Sequence, residues 1–225
     1  MATLISEFED LVAEDVDNCE SSLLTRNTKR SILEFCDKSW ILNKDFTHTY
    51  TSTDIDTSNN NALDIDVDDY VTDLRLSSFI RLMIDNEERY VHESDLLNDI
   101  PNYDSKYDLD TIHFLMYNET TLRLFNINTS SSTAYIQLAL KPLMSATSVD
   151  DKLWEDWADP IAAGAKWRLQ SKPNRPYSDR SAAQENRMLF HRGIREAKSK
   201  VQRGFSARDQ ELIQVPFGGY DLWSD

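Results

Sequence analysis

Apolar residues recur at helical spacing at both ends of the chain and at strand spacing in between. Residues 3–16 place Leu4, Ile5, Phe8, Leu11 and Val12 at i, i+1, i+4, i+7 and i+8, the stripe of an amphipathic helix. Residues 21–39 gather Leu24, Thr28, Ile32, Phe35 and Cys36 on one face and leave Lys29, Arg30, Glu34 and Lys38 outside, which predicts a second helix. From about residue 43 the period shortens. The stretches 74–84, 111–117, 121–127 and 133–140 are rich in β-branched and aromatic residues and are predicted as antiparallel strands. Residues 52–64 are polar and low in complexity, with too little apolar content to be buried, and are expected to form a mobile connection or a hairpin tip.

The helical period returns near residue 150, where Asp150 or Asp151 can cap a helix carrying Leu153, Trp157, Ile161, Ala165 and Leu169 on one side. Pro160 interrupts that pattern, so the helix either kinks or starts afresh with Asp159 as its N-cap. A Pro-containing elbow, residues 171–179, precedes a helix over about 180–202 with Ala183, Phe190, Ile194, Ala197 and Val201 as its buried stripe. Residues 204–225 contain paired glycines and Pro216 and are expected to be extended.

This order predicts an α+β fold: a helical bundle built from N- and C-terminal helix pairs, with an inserted antiparallel β domain and an extended C-terminal tail. The expected divisions are 1–42 for the first helices, 43–148 for the β insert, 149–203 for the last helices and 204–225 for the tail arm.

Composition changes the picture mainly through charge. Residues 1–150 hold 11 Lys and Arg against 28 Asp and Glu, whereas 151–225 hold 13 against 11, within a chain of net charge −15. Such a chain is a poor free-standing nucleic-acid binder, because phosphate contact needs a concentrated positive face. With no apolar run long enough to span a bilayer and no basic-then-apolar leader, the chain is expected to stay in a cytosol, off the membrane. Cys19 and Cys36 lack CxxC spacing and are expected to be reduced and structural.

Candidate chemistry is sparse. The histidines at 48, 92, 113 and 191 are far apart in sequence, nucleophile and phosphate-loop motifs are absent, and there are only five glycines, so no catalytic residue or cofactor is expected. Asp54-Ile-Asp56-Thr-Ser58 begins like a calcium loop, but Asn59 stands where glycine is needed and Ile65 where a closing glutamate belongs. Asp64, Asp66, Asp68 and Asp69 are read as an exposed strand face, and no metal site is expected. Arg187, Arg192, Arg195, Lys198 and Lys200 do not all share one helix face, and Glu185 and Glu196 lie among them; a solvated helix surface is the plainer reading, and an interface for an acidic neighbour, including another copy of the chain, the sharper one. In the tail, Ile213, Val215, Phe217, Tyr220 and Trp223 are spaced as anchors for a docking surface.

An ordered series of segments carries a resemblance: LALKP at 138–142, IAAGAKWRL at 161–169, KPNRPYSD at 172–179 and the Phe-containing helix that ends in QRG at 202–204, with ILEFCDKSWILNKDF at 32–46. The series resembles the head-to-tail connector adaptor proteins of tailed bacteriophages, from which Pro160 and Lys166 depart. The resemblance implies a structural virion protein assembled in the bacterial cytoplasm. It implies a ring of about twelve copies below the portal protein, a tail or nozzle protein beneath it, and genomic DNA passing through the lumen without specific binding. Two alternatives stand beside it. One is another neck or tail component, a stopper or tail-tube protein. The other is a β-domain module that binds a sugar or protein partner, with Tyr103, Tyr107 and Tyr117 as candidate contacts.

Overall fold

A computed structural model describes residues 2–58, 61–69, 74–85, 87–89, 91–93, 112–116, 118, 120–128 and 130–203. The fold is α+β. Helices α1 (Ile5–Ala13) and α2 (Ser21–Ser39) precede most of the strands, and α3 (Asp151–Gln170) and α4 (Arg180–Arg203) follow them. The strands are β1 (Ala2–Leu4), β2 (Asn43–Tyr50), β3 (Ile55–Asp56), β4 (Ala62–Asp66), β5 (Leu74–Ile84), β6 (Glu87–Glu88), β7 (Val91–Glu93), β8 (Ile112–Met116), β9 (Thr121–Phe125), β10 (Ser132–Pro142) and β11 (Ser148–Asp150).

One antiparallel sheet runs β2-β10-β5-β6, and a five-stranded sheet runs β3-β4-β9-β8-β7. Strand β10 is central in the first sheet because Ala134, Ile136 and Leu138 alternate inward. Two register shifts against β10 leave Ile80 and Ser77 of β5 without a Cα partner. The second shift turns the Ser77 hydroxyl to donate to Oδ1 of Asp37 on α2 at 2.8 Å, tying sheet to helix. Helices and strands share one continuous core, in which Phe8, Phe35, Leu153 and Phe190 belong to the same cluster as Leu82, Leu122 and Ile136.

The structure departs from the sequence expectations in several places, among them β2, β6 and β11, which the sequence reading does not single out as strands. The first helix begins at Ile5 and not at residue 3, because β1 pairs antiparallel with β11 and satisfies its backbone there; Leu4 is left exposed. The stretch 52–64 is a hairpin and not a mobile connection, and it is not exposed throughout: β3 pairs antiparallel with the start of β4, and Ile55, Ala62 and Leu63 are buried. Strand β7, which was not anticipated, pairs parallel with β8, whereas the remaining strand pairs are antiparallel. The acidic run 64–69 leaves the strand at Asp66, and Asp68 and Asp69 lie in a 3-10 turn with Val67 buried beneath.

Helix α3 resolves the Pro160 question. Asp150 caps it by accepting from the Lys152 N–H at 2.9 Å, and the helical geometry breaks at Trp157 (φ −136°, ψ 15°) before resuming. Pro160 then sits in the first turn of the second segment, where its missing N–H removes no helical bond.

Candidate interaction surfaces

The residues with the most to do in this molecule radiate from α3, whose three tryptophans meet three different helices. Trp154 packs edge-on to Phe8 of α1 at 5.0 Å, Trp157 against Phe35 of α2 at 5.6 Å, and Trp167 against Phe190 of α4 at 6.2 Å. The run Ala162-Ala163-Gly164-Ala165 is buried and lets backbones approach: the Ser31 hydroxyl of α2 donates to the Ile161 carbonyl at 2.5 Å. A Cβ at Gly164 would collide with Ser31 and the Phe190 ring, and one at Gly193 of α4 would collide with Pro160. Pro160 is thus both the kink and the knob that fills the gap over Gly193.

The elbow is a built turn. Tyr177 is buried with Val12, Val16, Ala162, Ala165 and Leu169, so the elbow folds back over the α1–α3 contact. Asp179 caps α4 by accepting from the Ser181 and Ala182 N–H groups at 2.9 and 3.0 Å. That cap fixes the direction in which α4 leaves, and with it the direction of the basic face.

Four of the basic residues singled out on α4 do not share one environment. The Arg187 guanidinium lies over the Trp167 ring at 5.4 Å, and the Lys198 ammonium over Trp40 at 3.8 Å, so both are partly engaged within the chain. Arg192 pairs with Glu196 one turn on at 2.7 Å, yet its side chain remains 71 % exposed. Arg195 is exposed. Burial first, then the charges of Lys38 and Arg187, hold His191 below its ordinary pKa, so no further cation is added here at neutral pH.

Between these residues lie Met188 and Leu189, 58 % and 53 % exposed. Sequence reading missed them, although they fall off the buried stripe of Ala183, Phe190, Ile194, Ala197 and Val201 and were detectable on that ground.

Opposite charge gathers elsewhere. Residues 5–20 carry seven carboxylates and no Lys or Arg. Glu7, Asp10 and Glu14 are exposed, and Asp15 is paired with Lys166 of α3 at 2.5 Å.

The remaining candidates are accounted for locally. Asp54 accepts from the Thr51 N–H and hydroxyl at 2.7 and 2.8 Å, which holds its carboxyl below the ordinary value, and Asp56 accepts from Ser58. These carboxylates therefore close their own turns. Asp64 forms a two-point pair with Arg123 on the neighbouring strand at 2.5 and 2.6 Å. A cleft of about 700 Å³ between α2 and the end of β10 has Arg30, Arg75, Lys141 and Arg168 on its walls, with Glu34 and Asp37 among them. Arg168 pairs with Glu34, and Lys141 with Asp37 at 3.0 Å.

Cys36 is buried and Cys19 half-buried, both as free thiols. The register of β7 and β8 sets His92 beside His113, a proximity the sequence spacing hides. No described helix is long and apolar enough to cross a membrane. The tail anchors Ile213, Val215, Phe217, Tyr220 and Trp223, and Tyr103, Tyr107 and Tyr117, lie outside the described residues. Comparison with protein-family models and with curated proteins finds no match to this chain.

Proposed function

We propose that this chain is a structural virion protein, a head-to-tail connector adaptor that assembles into a ring between the portal and the tail of a bacteriophage. In this reading the helix pairs α1–α2 and α3–α4 form one bundle, and the two larger sheets are the insert between them. One observation carries the proposal. The segments that bear the resemblance, 161–169, 172–179 and the Phe190 region, are also the segments that lock together: Gly164 against Phe190 and Ser31, Tyr177 over the α1–α3 contact, and Asp179 capping α4. A series that matches only by chance has no reason to coincide with one interlocked packing unit.

Charge supports the same reading. A surplus of negative charge suits a lumen through which DNA slides without sticking, and a basic α4 suits acidic neighbours in a ring. The tail anchors from Ile213 to Trp223 then serve as an arm for the portal or an adjacent subunit, by their alternation in sequence.

One observation favours the binding-module alternative. Exposed Tyr135 on β10 borders a depression of about 320 Å³ with Phe46, Arg81 and Met83. Truncation after Gly204 tests the arm, because it leaves α4 (Arg180–Arg203) whole. The connector reading predicts a folded chain by circular dichroism whose DNA-filled heads leak or remain without tails. Normal yields of infectious particles from the truncated chain would count against the arm.

A further inference from the structure

We infer that the outer face of α4 in one copy docks on the acidic outer face of α1 in the next copy, head to tail. The contact is argued from the two surfaces themselves and rests on the connector reading only for the expectation that the chain of contacts closes into a ring.

The two faces lie on opposite flanks of the molecule. On α3, the residues clustered with α1 are Ala162, Ala165 and Leu169, and those that meet α4 are Pro160, Gly164 and Trp167. At 3.6 residues per turn the two sets point roughly 170° apart around the helix. Helices α1 and α4 also share no sizeable contact among the described residues. A contact between flanks that face opposite ways is heterologous: it leaves a free α1 at one end and a free α4 at the other, so it propagates until it closes.

Each face is incomplete alone, and each supplies what the other lacks. Helix α1 has no basic residue in its last turn, so Asp10 and the following Glu14 stand against the negative end of the helix dipole with no cation of their own helix to offset it. Exposed Glu7, Asp10 and Glu14 follow one another at i, i+3 and i+7, which aligns them on one side. On α4, Arg192 and Arg195 flank Met188 and Leu189. Of the five exposed large hydrophobic residues among those described, these two lie on α4 and Leu4 stands at the start of α1. Docking therefore brings the exposed guanidinium groups of Arg192 and Arg195 to exposed carboxylates around a small apolar centre, the pattern of a specific interface.

The test uses the full-length chain and its mass in solution at low salt. In one variant Arg192→Glu and Arg195→Glu reverse α4; in another Glu7→Arg and Asp10→Arg reverse α1; circular dichroism checks that both stay folded. Each variant alone is expected to associate at least about tenfold more weakly than the wild type. An equimolar mixture of the two is expected to recover assembly, with the variants alternating, and so is a single chain carrying all four substitutions. Raising the salt from about 0.05 M to about 0.5 M is expected to weaken the wild-type assembly.

A wild type that stays monomeric at every concentration, variants that assemble undiminished, or a mixture that is not rescued overturns the inference, another partner then being the occupant of these faces. The two proposals fail differently. Closed rings indifferent to both reversals remove this contact and leave the connector reading standing, whereas rescued assembly into open chains supports the contact and removes the connector reading.

Discussion

At Gly164 the backbone of α3 lies so close to its neighbours that an added methyl group would overlap the Ser31 hydroxyl and stand 2.5 Å from the Phe190 ring. In an exposed helix, Gly→Ala stabilises by about 1 kcal/mol through propensity alone. Here overpacking costs about 1–3 kcal/mol, and displacing Ser31 adds about 1 kcal/mol for its bond to the Ile161 carbonyl. Sterics win. Gly164→Ala is expected to lower the urea-unfolding free energy by about 1–3 kcal/mol, and a stabilised variant would contradict the close approach. The small-residue run was legible in the sequence as a place where a helix comes near. Which helices come near was not, because small side chains announce a short distance and not a partner. Nor does any residue announce the left-handed turn at Trp40 (φ 59°) that ends α2, a position where glycine is the usual choice.

Among whole elements, α2 and α3 are joined at one electrostatic point as well as by packing. Burial alone would raise the Glu34 carboxyl, but the Lys38 hydrogen bond and the Arg168 charge outweigh it and hold the pKa below the ordinary 4.5. A depressed folded value means that the contribution is full above the unfolded pKa and is lost as the pH falls through the folded one. Glu34→Gln is therefore expected to cost about 1 kcal/mol at neutral pH, the size of a partly exposed pair. The difference from wild type should shrink toward zero below pH 4.5 in thermal unfolding scans. A deficit that persists unchanged into acid would mean that Glu34 acts through packing alone.

Helices α2, α3 and α4 were readable because each repeats its apolar positions over nineteen residues or more. Strand β4 was partly legible, since Leu63, Ile65 and Val67 alternate with the exposed Asp64 and Asp66, whereas β3 was not, because Ile55 is an isolated apolar residue among polar ones and its burial is decided by pairing with β4. The parallel β7–β8 pair is of the same kind: three residues carry too little periodicity to be seen alone. The kink was half legible, since Pro160 guarantees a disturbance in the turn before it, where the break at Trp157 falls, whereas the packing of its ring on Gly193 is set by the tertiary fold.

For the whole molecule, charge is the property that local packing leaves unexplained. Several cations of α3 and α4 are matched inside the chain, Lys166 by Asp15, Arg168 by Glu34 and Lys200 by Asp156. The acidic stretch from Glu7 to Glu20 and the outer face of α4 retain an excess of opposite sign. In the connector reading this excess is what neighbouring copies share. The most direct measurement is electron cryo-microscopy of purified virions that contain this protein. The prediction is a closed ring at the junction of portal and tail, each subunit accommodating residues 2–203 with α1 and α4 at its lateral faces. Virions whose junction lacks this chain, or that carry it elsewhere on the particle, would contradict the connector function.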